Sequence, residues 1–252
     1  TEDCFLEKPQ TKYDEPGGIT VRDEGDLEAI CNATCDKIER LEIRRVDGLK
    51  DLRALNGIEV TGFAYFHSNP DLRSTKGLKL KDPAYLEVED NPALREVYGL
   101  NGVSTVQALE LTYNPRLKKV HGLSEIERVY NVYEGEVLSS IIRITRGEIP
   151  NLNVLDGLEL TSKSSLILEH LPEIERVPEV EGDEVVSVWV SDNANLTDIS
   201  GLTGIEKING RLEITNNPKV KTCRARDIAR QMEYGELNGN YRIAGNGSGS
   251  CE

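Results

Sequence analysis

An asparagine recurs at one place in a repeating frame: Asn69, Asn91, Asn114, Asn193 and Asn217 are each followed three residues later by an aliphatic side chain. The frame is clearest in LEVEDNPALREVYGL (86–100), LELTYNPRLKKVHGL (109–123), VWVSDNANLTDISGL (188–202) and LEITNNPKVKTC (212–223). Counted from the first apolar residue, aliphatic positions recur at offsets of two, eight, eleven and fourteen, with Asn at five. Leu86, Val88, Asn91, Leu94, Val97 and Leu100 make one copy; Val188, Val190, Asn193, Leu196, Ile199 and Leu202 make another. A period of 22 to 24 residues implies stacked coils, because a unit this small buries its apolar face only against its neighbours.

The spacing also selects the kind of coil. An L-x-L step puts two side chains on one face of a short strand, whereas steps of three match neither an α-helix nor a regular strand. The remainder of each coil is therefore expected to be extended or tightly cornered rather than helical. Stacking aligns the L-x-L steps into one parallel sheet, with the right-handed path of parallel crossovers. An Asn at a fixed corner can turn inward and bond backbone groups that the turn leaves unpaired, its neighbour one coil away offering the same partners.

Weaker copies fill the gaps. Residues 41–58 carry one additional three-residue step and Val46 in place of Asn; 64–78 keep the Asn but hold Thr75 at an aliphatic position; 166–180 have Leu171 at the corner. The copy ending LNVLDGL at 158 is irregular, and about eleven additional residues near 131–141 are expected as a loop on one face. The reading is mainly β: a right-handed, leucine-rich-repeat-like parallel β-solenoid of about eight coils, one domain over 1–252, with repeats at 38–223 between an N-terminal cap (1–37) and a C-terminal cap (224–252). The N-terminal cap places Leu27, Ile30, Cys31 and Thr34 at helical spacing; the C-terminal cap does the same with Ala225, Ile228, Ala229 and Met232, followed by a final strand at 240–246.

All five cysteines, at 4, 31, 35, 223 and 251, belong to the ends of the chain. Disulfide staples on the caps suit that placement and imply an oxidising compartment. Cys223 with Cys251 would tie the last strand across the C-terminal helix. Cys4 is expected to reach Cys35, leaving Cys31 odd, either a buried free thiol or the exchanged partner of Cys4; the sequence leaves both open. A metal site is not expected, since the only histidines, His67, His121 and His170, fall in three different coils.

With 44 acidic against 30 basic residues the net charge is −14, which argues against nucleic acid as a partner. No apolar run approaches the roughly 18 residues of a membrane helix. The chain opens at TEDC without a signal peptide, as a mature form would. Triplets beginning at Asn32, Asn195 and Asn246 match the glycosylation acceptor pattern.

The motif L-x-L-(x)-x-N-P-x-L-x-x-L/V-x-G-L, the cysteine opening the first coil in CDKIERLEI (35–43) and the cysteine-bearing caps resemble the receptor L domain. That is the leucine-rich-repeat-like solenoid of the ligand-binding lobes of insulin-receptor and epidermal-growth-factor-receptor ectodomains. The ending with Cys223, Ala225, Ala229, Ile243, Gly245, Asn246 and Cys251 is most similar to secreted or surface members from bacteria of the myxobacterial type. The chain differs in the insertion near 131–141 and in carrying no cysteine-rich module or kinase. The resemblance implies the solenoid fold and a habit of binding other molecules, not a particular ligand.

Nucleophile elbows, zincin helices, phosphate loops and dinucleotide fingerprints are all missing from the sequence, and no cofactor is expected. The expected function is a non-catalytic, secreted or cell-surface recognition module for a protein or glycan, attached if at all by a lipid or surface anchor outside this chain. The alternatives are a β-helix polysaccharide lyase or hydrolase, for which Glu87, Glu89 and Glu110 would stack as the carboxylate cluster, and a cell-envelope or adhesion scaffold. The coil register predicts an outward row of Glu42, Tyr65, Glu87, Glu110, Ile167, Trp189 and Glu213. Phe63, His67 and Tyr85 lie beside it. With only 3 Phe, 9 Tyr and 1 Trp in the chain, the gathering of Phe63, Tyr65, His67 and Tyr85 in two coils marks them, with Trp189, as the candidate binding residues.

Overall fold

The computed structural model describes residues 18–23, 25–26, 36–133, 136–234, 241–249 and 251. The apolar pairs of the repeat lie on parallel strands of one sheet, in the order Gly18–Val21, Lys37–Arg44, Glu59–His67, Ala84–Glu89, Thr105–Thr112, Ser140–Thr145, Ser164–Glu169, Val185–Ser191, Lys207–Thr215 and Tyr241–Ala244. The register matches the repeat: Leu41, Ala64, Leu86, Leu109, Ile142, Leu166, Val188 and Leu212 stand side by side across successive strands. These residues, and those two positions on from Ile43 to Ile214, are at most 1% exposed. One core runs the length of the molecule because every strand has its inward face closed by the back of its own coil. Arg128–Val129, Leu158–Leu160, Val180–Gly182 and Gly204–Ile205 pair in parallel as a branch of the same sheet, joined to it where Arg128–Val129 lies beside Thr105 and Val106.

The rest of each coil, expected to be extended or tightly cornered rather than helical, includes four short helical turns among the described residues. Arg53–Leu55, Leu123–Glu125, Asn153–Leu155 and Ser200–Thr203 are single 3-10 turns. A 3-10 turn has three residues per turn, so it carries on a three-residue apolar step, as Leu52 at the start of the first turn and Leu55 within it are both buried.

The corner asparagines form a ladder. Asn69, Asn91, Asn114, Asn193 and Asn217 are fully buried. The backbone N–H groups of Val46, Asn69 and Asn91 donate to the carboxamide oxygens of Asn69, Asn91 and Asn114, each at 3.1 Å, one coil further on. Leu171 and Asn193 donate in the same way to Asn193 and Asn217 at 2.9 and 3.1 Å. Each Nδ2 donates to a strand carbonyl one coil back, that of Ile43, Phe66, Val88, Leu168 or Val190. An apolar corner at Val46 or Leu171 is tolerated because the oxygen that serves it belongs to the next coil. Asn246 extends the ladder, accepting from the Asn217 N–H at 3.0 Å and donating to the Ile214 carbonyl at 2.7 Å, so this acceptor triplet has its amide engaged in the structure.

Thr75 occupies its aliphatic position as part of a reciprocal pair. Its hydroxyl donates to the Tyr98 carbonyl at 3.0 Å and accepts the Tyr98 N–H at 2.7 Å, in full burial. Thr75→Val, nearly isosteric, is expected to cost about 1–3 kcal/mol by leaving both backbone groups unpaired. Urea unfolding measures it; an unchanged midpoint would show that the pair contributes nothing.

The insertion has a structural address. Elsewhere the sheet strands carry a bulge just before the apolar pair, where Val60 to Phe63 oppose Ile38 to Arg40, and Ile208 to Arg211 oppose Val185 to Ser187. Gly62 and Gly210 sit at these bulges, where a Cβ would lie 2.6 Å from the Glu39 carbonyl oxygen and 2.4 Å from that of Val186. Val129 and Ile141 align with Val106 and Ala108, so segment 130–140 replaces the single residue Gln107 at the same bulge. Rather than an open loop, it holds an antiparallel hairpin of Asn131–Tyr133 with Glu136–Leu138. A bulge accepts it because ladder pairing is already interrupted there.

At the C-terminal end, helix Thr222–Gln231 buries Ala225, Ile228 and Ala229, and Met232 follows it into the core. Strand Tyr241–Ala244 then pairs with Leu212–Thr215. Cys223 and Cys251 are bonded, with Cα atoms 6.0 Å apart. Loss of the bridge in Cys223→Ser is expected to cost about 2–4 kcal/mol. Faster amide exchange in Tyr241–Ala244 than in Glu59–His67 would localise the fraying; uniform exchange would show that the bridge does not secure this strand. The expected N-terminal cap helix and the pairing of Cys4 with Cys35, with Cys31 odd, fall outside the described residues. Strand Gly18–Val21 shows that the sheet continues into the N-terminal cap segment. Among the described residues no helix is long and apolar enough to cross a membrane.

Candidate functional site

Alternation along the strands turns one residue of each L-x-L step outward. Across the strands this gives the row Glu42, Tyr65, Glu87, Glu110, Arg143, Ile167, Trp189, Glu213 and Arg242. Arg143 was missing from the sequence-derived row because the insertion hides the frame of its coil.

Four predicted residues meet. Strand Glu59–His67 presents Phe63, Tyr65 and His67, and the neighbouring strand places Tyr85 beside Phe63. The Phe63 and Tyr85 rings meet edge-on at 5.1 Å, Tyr65 and Tyr85 tilt together at 5.4 Å, and Phe63 and His67 flank Tyr65 at 6.2 and 6.1 Å. The Arg40 guanidinium lies 4.9 Å from the centre of the Tyr65 ring. Phe63 is 37% exposed, while the other three rings are half-buried by one another. The result is an aromatic shelf on a rigid sheet, with little side-chain freedom left to lose on binding. Burial pushes the Tyr65 and Tyr85 phenols up, opposed at Tyr65 by the Arg40 guanidinium and reinforced at Tyr85 by Tyr65 and then Glu87, so both remain protonated donors at neutral pH.

An acidic group adjoins the shelf. His67 Nε2 lies 3.6 Å from Glu87 and its Nδ1 3.3 Å from Glu89. Glu110 pairs with Arg143 at 2.9 Å. Burial raises the Glu110 carboxyl above its ordinary value; Arg143 opposes this, while Glu87 and Glu89 reinforce it. A carboxyl whose pKa is higher folded than unfolded holds its proton more tightly in the folded chain. This group therefore adds stability as pH falls from neutral through its folded pKa towards its unfolded one.

Trp189 does not join the shelf. It lies five strands from Tyr65 in the row, about 24 Å at about 4.8 Å per strand. Arg211 lies 4.8 Å from its ring centre and Ile167 beside it is 5% exposed, so Trp189 forms part of a separate cover over the sheet.

One surface escaped the sequence reading. The residue before each corner is left-handed in eight coils: Arg45, Ser68, Asp90, Tyr113, Arg146, His170, Asp192 and Asn216, with φ of 53–57°. The conformation turns each chain so that the next residue can enter the ladder. Along this edge Tyr113, 48% exposed, meets the Arg146 guanidinium at 4.7 Å, beside a groove of about 470 Å³ that His170, Pro92, Pro115 and Pro172 help to line. The available signal was the recurrence of one position immediately before each corner residue.

Fold and exposed face together define a parallel β-solenoid with an aromatic shelf and an acidic group on its long sheet. No family model, curated protein or solved structure matches the chain.

Proposed function

We propose that this chain is a non-catalytic recognition module, secreted or displayed at a cell surface, that binds a protein or glycan partner on the outward face of its sheet. The observation that carries the reading is the mutual contact of Phe63, Tyr65 and Tyr85 on two adjacent strands. Clustered aromatic rings with polar tips supply large contact area at small entropic cost. The resemblance of the repeats to receptor L domains agrees with a binding role, and the cap disulfide agrees with an oxidising compartment.

A panel of acidic and neutral polysaccharides, with and without calcium, provides the test. A bound member should be released unchanged. Tyr65→Ala or Tyr85→Ala should weaken its binding about 30-fold, the scale of a 2 kcal/mol hot spot. Trp189→Ala should have little effect on a ligand seated at the shelf. Release of reducing or unsaturated sugar ends, abolished by Glu87→Gln, Glu89→Gln or Glu110→Gln with the fold intact, would instead establish the carbohydrate-active enzyme. The specific observation favouring that second reading is the shared electrostatic environment of the three carboxylates.

A further inference from the structure

We propose that His67, Glu87 and Glu89 form a binding site for a divalent transition-metal ion of the zinc class. Stacking brings the histidine of one coil beside two carboxylates of the next, because His67 pairs with Glu89 in register and Glu87 lies one outward position away. One ligand atom from each residue can be chosen so that all three lie within 4.8 Å of one another. Ligands of one tetrahedral ion with bonds of about 2.0–2.2 Å stand about 3.3–3.6 Å apart, so rotation of these partly exposed side chains would close the three around a common ion.

The surrounding charge favours the ion. Glu42 is paired with Arg44 at 2.5 Å, Glu110 with Arg143 at 2.9 Å, and Glu213 with Arg211 and Arg242 at 2.5 and 3.7 Å. Among the described residues, Glu87 and Glu89 have only the His67 imidazole within ion-pair distance. That ring turns one nitrogen to each carboxylate, so the two acidic groups share a single partner, and a divalent cation would supply the positive charge that the rest of the row obtains from arginines.

The donor set decides the class of metal. An imidazole nitrogen suits Zn²⁺ and its transition-metal neighbours, whereas Ca²⁺ and Mg²⁺ favour oxygen-only shells with more ligands than two side-chain carboxylates provide. Three protein ligands leave at least one position for water or for an oxygen of a bound partner. The assignment does not rest on the recognition reading, since the metal is measured directly.

Calorimetric titration of the full chain, without a polyhistidine tag, with Zn²⁺ should reveal one saturable equivalent. Co²⁺ should give visible d–d absorption at the same stoichiometry, and Ca²⁺ or Mg²⁺ at equal concentration should not compete. His67→Phe keeps a ring beside Tyr65 but removes both nitrogens. It and the double variant Glu87→Gln with Glu89→Gln should each weaken Zn²⁺ by no less than the about 10–100-fold typical of losing even an outer-shell partner. His170→Phe, in a distant coil, should bind as the parent does. Zn²⁺ should raise the thermal midpoint of the parent and of His170→Phe but not that of the two site variants. Failure to bind one equivalent, equal binding by His67→Phe, or Ca²⁺ binding that depends on the glutamates alone would each overturn the assignment.

Discussion

Asn91→Ala is expected to destabilise the folded chain by about 3–5 kcal/mol, because each buried backbone group left unpaired costs about 1–3 kcal/mol. The Asn91 oxygen accepts both the Asn69 N–H and the Asn69 carboxamide at 3.1 Å, and its Nδ2 donates to the carbonyls of Phe66 at 3.0 Å and Glu89 at 2.8 Å. Alanine supplies neither acceptor nor donor, and the site is fully buried, so water does not replace them without opening the corner. The thermal midpoint should fall by roughly 10 °C, at about 2–4 °C per kcal/mol for a chain of this size. Denaturant unfolding with an unchanged slope would assign the loss to the native state. Asn246→Ala, at the partly exposed end of the same ladder, should cost less than Asn91→Ala. Equal losses at the two positions, or a loss below about 1 kcal/mol at Asn91, the ordinary value of a single hydrogen bond, would show that the ladder is not what secures the corners.

Phe66→Ala should be as damaging for a different reason. Phe66 is fully buried, stands between Ile43 and Val88 in register, and lies one residue from both Tyr65 and His67 on the same strand. Truncation of a buried phenylalanine costs about 3–5 kcal/mol through lost transfer energy and the cavity left behind. The hollow would lie beneath the aromatic shelf, so the proposed partner and metal binding should weaken along with stability. Tyr65→Ala, on the opposite face of the strand, should unfold at nearly the parent's denaturant concentration while losing the shelf. The comparison reads the inward and outward alternation directly; a larger stability loss at Tyr65 than at Phe66 would reverse it.

The aromatic shelf was legible in the sequence because it depends on register alone. Once Leu86 and Val88 are taken as inward, Glu87 must face out, and identical frames in successive coils bring outward residues together without further information. Trp189 obeyed the same register, yet its exclusion from the shelf followed from counting strands between it and Tyr65, including the Ser140–Thr145 strand whose frame the insertion obscures. The hairpin's position was fixed by the bulges, which break the two-residue alternation and so leave no periodic signal of their own. Left-handed corners at Asp90, Tyr113 and Arg146 were invisible for a related reason: their residue types do not demand that conformation, and the buried ladder beside them imposes it.

Periodicity by itself determined the coil, its parallel sheet and the buried asparagines, which follow from the spacing of the repeat, and the C-terminal capping helix, which follows from the helical spacing of Ala225, Ile228, Ala229 and Met232. Only the tertiary structure decided what stands across the coil boundary. Three histidines in three coils read as scattered along the chain, but stacking at about 4.8 Å per strand sets His67 against Glu87 and Glu89, 20 and 22 residues away in sequence. A repeat specifies the positions of its own residues, whereas the chemistry on this surface arises between neighbouring repeats, where side chains of different coils meet.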